Sequence, residues 1–199
     1  ACYEHVGFGW GYYGMIPALT GVLAPHGLAT SFESIATVTV GAGGSASVSF
    51  SSIPQTYQHL QVRIMYRNTS TDRGLNMYIN GDTTSSNYYA HAILGLGSSA
   101  SPGAYANNRF IGWGAMSSDT ANAFGVFIVD LLDYTSTNKY HTTRVLEGWD
   151  ANGSGYSVLF STLYKNTNAI TSLTFENEYV SSGCNLAQYS SFALYGVKA

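Results

Sequence analysis

The side chains that most often carry out chemistry are few and scattered in this chain. The two most suggestive carboxylates, Asp130 and Asp133, close an apolar run in the context VDLLDY. A glycosidase needs two carboxylates that face one another across a sugar, but residues three apart in a strand point to opposite faces of a sheet. Asp133 is better explained as a turn former, whose side chain accepts hydrogen bonds from the backbone that follows. The pair therefore does not predict a hydrolase.

Histidines, serines and cysteines form no catalytic or metal-binding pattern either. The five histidines lie apart, without an HExxH motif, and no GxSxG sequence marks a nucleophile on a sharp turn. Cys2 and Cys184 lie at opposite ends of the chain without a CxxC motif, so their pairing is left open. We therefore expect no enzyme, no cofactor and no metal ion.

The aromatic residues are the one chemically notable class. The chain contains 16 Tyr, 9 Phe and 3 Trp residues. Trp113, Trp149 and Tyr156 are candidates for a flat platform that binds a host glycan. They are equally suited to filling a core or an interface, since Tyr combines a large contact area with a polar tip. We favour the core or interface interpretation, because no polar cluster beside them in the sequence would orient a ligand.

The composition indicates a folded chain whose surface is made for contact. Hydrophobic residues make up 45% of the chain and charged residues 10%, against about 25% charged in an average domain. A surface with so few charges has little electrostatic defence against association. The net charge is −3, and the eight Lys and Arg residues are spread along the chain without the basic patch of a nucleic-acid binder. We expect protein contacts and no nucleic-acid partner.

No membrane or export signal is evident in the sequence. No run of 18 or more apolar residues predicts a transmembrane helix. The first thirty residues have neither the basic region nor the continuous apolar region of a secretory signal. We expect no membrane partner.

Residues 1–31 differ from the rest of the chain. They are rich in Gly and in large aromatic residues, and they show neither strand alternation nor helical periodicity. We predict an extended arm that anchors the chain to a partner through Phe8, Trp10, Tyr12 and Tyr13, because an exposed aromatic run marks an interface. Packing of this arm against its own domain is the alternative.

From residue 32 onwards the apolar residues follow a period of two. Residues 36–40 and 46–50 alternate on either side of the glycine-rich turn 41–44, which predicts a hairpin. Residues 60–66 form the clearest alternating strand. The continuous apolar run at 123–132 predicts a strand buried on both faces.

Turn signals divide the remaining strands. Asn80-Gly81 and the segment 150–153 each predict a hairpin turn, whereas the Gly-, Ser- and Pro-rich stretch 97–108 predicts a loop. About ten short strands with turn signals every 8–12 residues are typical of an all-β sandwich or barrel. We therefore predict an antiparallel β-sandwich, jelly-roll-like, over residues 32–199.

Four segments of this domain resemble a module of tailed-bacteriophage virion proteins. They are FESIATVTVGAGGSASVSFSSIPQTYQHLQVR at 32–63, LLDYTSTNKYHTTRVLEGWDANGSG at 131–155, NTNAITSLTF at 166–175 and QYSSFALYGVK at 188–198. Proteins with this module are described as minor structural, tail-fibre or head-decoration proteins. The resemblance brings no catalytic residues to carry over.

The resemblance implies a location in the virion, a homotrimer, and other capsid or tail proteins as partners. Because the chain is short and has no long fibrous shaft, we expect a capsid decoration or cement protein anchored by its arm. The alternative is a tail-fibre or receptor-binding tip that recognises host-surface glycans. The choice between capsid and tail, the copy number, the ligand and the strand order stay open.

Overall fold

The computed structural model describes residues 31–150 and 153–198 of the 199-residue chain. The arm predicted for residues 1–31 therefore lies outside the described residues, except for Ser31. The same holds for its candidate contact residues, which are Phe8, Trp10, Tyr12 and Tyr13.

The described residues contain twelve β-strands and, as helical segments, two single 3₁₀ turns at Ser85–Asn87 and Val180–Ser182. The strands are β1 (Phe32–Thr39), β2 (Ser47–Phe50), β3 (His59–Tyr66), β4 (Gly74–Ile79), β5 (Tyr88–Gly95), β6 (Ala100–Ala106), β7 (Phe110–Trp113), β8 (Gly125–Leu132), β9 (His141–Asp150), β10 (Gly155–Tyr164), β11 (Leu173–Asn177) and β12 (Ser191–Val197).

The strands form two antiparallel sheets of unequal size. The larger sheet has eight strands in the order β1-β12-β3-β8-β9-β10-β5-β6, and the smaller has four in the order β2-β11-β4-β7. The sheets pack against one another as a sandwich, with one hydrophobic core between them. The predicted all-β, antiparallel sandwich class is confirmed.

The hydrophobic core is formed by the side chains that alternate strand residues point inward. In β3, the side chains of Leu60, Val62, Ile64 and Tyr66 point inward and are at most 2% exposed. Burying one such side chain contributes about 1.5–3 kcal/mol to the free energy of unfolding. Facing side chains of the small sheet complete the same cluster, so the prediction of a strand at 60–66 is confirmed.

The predicted hairpin around residues 41–44 is wrong. β1 pairs with β12 in the large sheet, whereas β2 pairs with β11 in the small sheet. The glycine-rich segment between them therefore carries the chain from one sheet to the other. Alternation shows which side chains face the core, but it does not show which of two facing sheets a strand joins.

The two Asn/Asp-Gly turn predictions have different outcomes. Asn80 and Gly81 have φ angles of 53° and 67°, and the Asp82 N–H closes the turn on the Ile79 carbonyl at 3.0 Å. This turn nevertheless joins β4 in the small sheet to β5 in the large one, so the hairpin expected there is wrong. At 150–153 the hairpin is confirmed, since β9 and β10 pair over their full lengths.

The predicted loop at 97–108 contains a strand. β6 pairs with β5 and forms an edge of the large sheet. An edge strand tolerates proline, because one side of its backbone needs no ladder partner, and Pro102 stands opposite Ile93. The turn-forming composition of this stretch concealed an edge strand.

Candidate functional site: an exposed apolar sheet face

β8 shows that one face of the large sheet is uncovered. Phe127, Val129 and Leu131 point into the core and are at most 1% exposed, whereas the alternate residues Val126 and Leu132 are 51% and 56% exposed. The prediction that the apolar run 123–132 is buried on both faces is therefore wrong within residues 31–150 and 153–198. The sandwich covers one face of this strand and leaves the other to solvent.

Aliphatic side chains on four adjacent strands line up across this uncovered face. Ile128 pairs with Leu146, Leu146 with Leu159, and Leu159 with Ile93. Their exposed fractions are 39%, 52%, 43% and 65% in the order Ile128, Leu146, Leu159 and Ile93. We call these four residues the aliphatic row. Since neighbouring strands lie about 4.8 Å apart, the row extends for about 14 Å.

Further apolar side chains flank the aliphatic row on the same face. Met65, paired with Val126, is 48% exposed, and Leu132 lies at the other end of β8. Single exposed apolar residues are normal, but a contiguous exposed apolar patch marks an interaction surface. We call the solvent side of the eight-stranded sheet, which carries the aliphatic row, the outer face.

A polar row runs parallel to the aliphatic row on the outer face. In register across the sheet stand Gln61, Asp130, Arg144, Ser161 and His91. The Gln61 side-chain amide donates to Asp130 Oδ1 at 2.8 Å. The centre of the outer face thus carries one carboxylate and one guanidinium group on neighbouring strands.

Arg63, on β3, stands opposite Ile128 and ends the aliphatic row on that side. Its guanidinium carbon lies 5.8 Å from the centre of the Phe32 ring and 5.2 Å from that of Tyr195. Both distances suit a cation–π contact. The Arg63 Nε–H also donates to Gln61 Oε1 at 2.9 Å. The Arg63 guanidinium group thus has its partners within its own chain.

The structure brings the three predicted platform residues into one cluster. The ring centre of Tyr156 lies 6.0 Å from that of Trp113 and 5.5 Å from that of Trp149. The guanidinium carbon of Arg73 lies 3.9 Å from the centre of the Trp149 ring. Trp149 is 5% exposed, so it offers a ligand little ring surface, whereas Trp113 and Tyr156 are half-buried.

An open groove of about 1210 Å³ adjoins this cluster. Trp149 and Tyr156 lie along it together with Arg73, Phe124 and Asp150, while glycines on β5, β9 and β10 keep much of its wall free of side chains. The groove combines aromatic, charged and backbone groups. This mixture of groups is suited to binding a polar ligand such as a sugar.

Two arginines hold the segment between β7 and β8 beside the groove. The Arg73 guanidinium donates two hydrogen bonds to the Asp119 carboxylate, at 2.6 and 2.8 Å. The Arg67 guanidinium donates to four backbone carbonyls, those of Ser117, Asp119, Thr120 and Ala123. Sequence analysis missed both roles, because these partners lie far apart along the chain.

Glu147 is a carboxylic acid inside the sandwich, and its role was also missed. Its side chain points inward from β9, is 3% exposed, and accepts a hydrogen bond from the Trp113 N–H at 2.7 Å through Oε2. Burial raises the pKa of Glu147 to about 9, so the group is neutral at pH 7. Gly112, at φ 144°, approaches this carboxyl so closely that a Cβ there would clash with it. Glu147 therefore joins the two sheets through the backbone of β7.

The two candidate carboxylates do not face one another. Asp130 lies on the outer face, whereas Asp133 has left β8 in a turn closed by the Ser136 N–H on the Asp133 carbonyl at 2.9 Å. The Asp133 carboxylate contacts Lys139 Nζ at 2.5 Å, and this hydrogen bond holds the pKa of Asp133 below its ordinary value. The predicted turn is present, but the backbone carbonyl closes it while the side chain pairs with Lys139.

Three further observations concern residues 31–150 and 153–198. No group of three or more His, Cys, Asp and Glu side chains there is placed to hold a metal ion. No helix in this part of the chain is long and apolar enough to cross a membrane. Cys184 is a free thiol, and Cys2 lies outside the described residues. Comparisons of the chain with family models, curated proteins and solved structures found no match in any of the three.

Proposed function

We propose that the chain is a structural protein of a tailed-phage virion, displayed on the particle surface as a capsid decoration or cement protein. In this role it binds and stabilises its neighbours and performs no catalysis. The outer face carries the proposal, because a band of half-exposed aliphatic residues across the middle of a sheet is suited to burial against a protein. The resemblance of residues 32–198 to virion modules supplies the setting.

The low charge of the chain supports the same proposal. With 10% charged residues, its surface presents little that would repel a neighbouring copy or a capsid shell. In this proposal the aromatic arm over residues 1–31 attaches the sandwich to its particle. In the same proposal the outer face makes the contacts between surface proteins.

The location of the chain on the particle tests this proposal. We expect purified particles of the phage that encodes the chain to contain it, with the sandwich on the capsid surface in electron cryomicroscopy maps. Deletion of residues 1–30 is expected to remove the chain from particles and to make them more fragile to heating, with host-cell binding unchanged. Absence of the chain from purified wild-type particles would overturn the proposal.

The groove beside Trp149 and Tyr156 favours a second candidate function. In this alternative the chain is a tail-fibre or receptor-binding tip that recognises host-surface glycans. Tyr156 is the better residue to change, because the buried Trp149 also stabilises the fold. Binding of the chain to host lipopolysaccharide that is lost in Tyr156→Ala, and kept in the exposed control Tyr179→Ala, would favour this function over decoration.

A further inference from the structure

We propose that a second copy of this chain covers the outer face, packed sheet to sheet about a twofold axis that runs between β8 and β9. The proposal rests on the contact function proposed above and names the partner in that contact.

The strand order places the junction of β8 and β9 at the centre of the large sheet. Four strands, β1, β12, β3 and β8, lie on one side of it, and four, β9, β10, β5 and β6, lie on the other. A twofold axis parallel to the strands at this junction superimposes the two faces fully, with β8 of each copy over the partner's β9. Stacked sheets keep their strand directions within about 30° of each other. Residues of β8 near the axis therefore lie over the residues of the partner's β9 with which they are in register.

The two residues of the aliphatic row at the junction complement each other in this arrangement, while Leu159 and Ile93 face the partner's Arg63 and Ala193. Ile128 and Leu146 are cross-strand neighbours on either side of the junction. The axis therefore places Ile128 over the partner's Leu146, and Leu146 over the partner's Ile128. Two residues that are 39% and 52% exposed in the single chain are then buried at the centre of the contact, where apolar burial contributes most to binding.

The polar row is complementary under the same operation. Asp130 and Arg144 are also cross-strand neighbours at the junction. Each Asp130 then faces the partner's Arg144, and the contact is made twice by symmetry. A polyanionic partner would be repelled by Asp130 and a polycationic partner by Arg144. A second copy instead presents the opposite charge to each of these residues.

The face is large enough for a stable pair. Eight strands about 4.8 Å apart, each of about eight residues at about 3.4 Å per residue, make a face of roughly 900 Å². Standard specific interfaces bury about 800 Å² on each partner. A twofold contact of this kind closes on itself, so through this face the chain forms a dimer, and the homotrimer implied by the resemblance would need a different surface.

Mutual rescue by two oppositely charged variants of the full chain tests the pairing. Asp130→Arg places two guanidinium groups at each contact of a homodimer, and Arg144→Asp places two carboxylates there. Each variant alone is expected to dissociate at least about tenfold more readily than the wild type, because facing like charges repel. Mixed in equal amounts, the two variants are expected to form a heterodimer of near wild-type affinity, since each contact then joins opposite charges.

Light scattering and analytical ultracentrifugation give the masses, and circular dichroism checks the fold of each variant. Leu146→Arg is expected to leave the chain monomeric. Tyr179→Arg, which replaces a 49% exposed side chain outside the outer face, is expected to leave the dimer intact. A wild-type mass of one chain or of three chains overturns the inference, as does a mixture of the two charge variants that stays monomeric.

Failure of this inference is distinguishable from failure of the proposed function. A chain that is present on purified particles but monomeric in solution retains the virion role and rejects the pairing. A chain that dimerises through the outer face but is absent from particles retains the pairing and rejects the virion role.

Discussion

Glu147 is an ionisable residue in a buried position, where the negative charge of its ionised form is unfavourable. Its carboxyl lies between the two sheets, and Oε2 accepts the Trp113 N–H while Oε1 has no hydrogen-bond partner among the described residues. A protonated carboxyl is tolerated there, but an ionised one loses its hydration without gaining a cation. Glu147 therefore couples the stability of the sandwich to pH.

The contribution of Glu147 to stability is expected to fall as the pH rises from acid to alkaline values. The pKa of Glu147 is about 9 in the folded chain, against an ordinary value of 4.5, so between these values the folded state holds a proton that the unfolded state has released. The contribution of Glu147 to the free energy of unfolding is therefore greatest below pH 4.5 and is lost progressively up to about pH 9. The steepest loss is about 1.4 kcal/mol per pH unit, measurable by urea unfolding across this range.

The variant Glu147→Gln is the control for this prediction. Glutamine keeps a carbonyl oxygen to accept the Trp113 N–H and does not ionise. The variant is expected to unfold with a free energy that depends less on pH than that of the wild type. Parallel pH profiles for the two proteins would show that Glu147 is not the coupled group.

Two arginine side chains help to hold the segment between β7 and β8 in place. Arg73 pairs with Asp119 with side chains 17% and 6% exposed, and its guanidinium also stacks on Trp149. Arg67 adds hydrogen bonds to the segment's own carbonyls. The two arginines thus hold this segment together with backbone hydrogen bonds, such as that from the Ser117 N–H to the Ser70 carbonyl at 2.8 Å.

Arg73→Lys is expected to loosen this segment. Lysine keeps the charge but loses the two-pronged hydrogen bond to Asp119 and the planar stack on Trp149. Hydrogen exchange at the amides of residues 115–124 is expected to accelerate at least about tenfold, while the amides of β3 and β12 stay protected. The control substitution Arg144→Lys, on the outer face, is expected to leave hydrogen exchange at residues 115–124 unchanged. An equal effect of the two variants on this hydrogen exchange would contradict this role of Arg73.

At the scale of the molecule, the sandwich covers only one side of its larger sheet. The small sheet has four strands and lies on the inner side, so nothing in residues 31–150 and 153–198 shields Ile93, Leu146 or Leu159. Water contact with these side chains is unfavourable. The single chain is therefore expected to gain stability when the outer face is covered.

The midpoint temperature of thermal unfolding is expected to rise with protein concentration. A contact made only by folded chains stabilises the folded state by mass action. Scanning calorimetry at two concentrations a hundredfold apart is expected to show this rise for the wild type and none for Leu146→Arg. A wild-type midpoint that does not depend on concentration would contradict self-association through the outer face.

Local signals in the sequence predicted local features well. The alternation at 60–66 correctly assigned the inward side chains of β3, and the turn residues at 150–153 correctly predicted the β9–β10 hairpin. Both features depend on neighbours a few residues away. Trp113, Trp149 and Tyr156 are grouped as a candidate platform by chemical type alone, and the structure places the Tyr156 ring beside both tryptophans.

The sequence by itself determined the all-β class of this chain and which side chains of most strands face inward, because a period of two follows from the geometry of a single strand. Only the tertiary structure decided which sheet each strand joins. The turns at 41–44 and Asn80-Gly81 cross between sheets, and 97–108 pairs as an edge strand.

Tertiary structure also decided that the outer side of β8 is uncovered, because burial depends on strands that are remote in sequence. The apolar run at 123–132 has the composition of a strand covered on both faces, while the sandwich covers one. The second cover is what we assign to another copy of the chain.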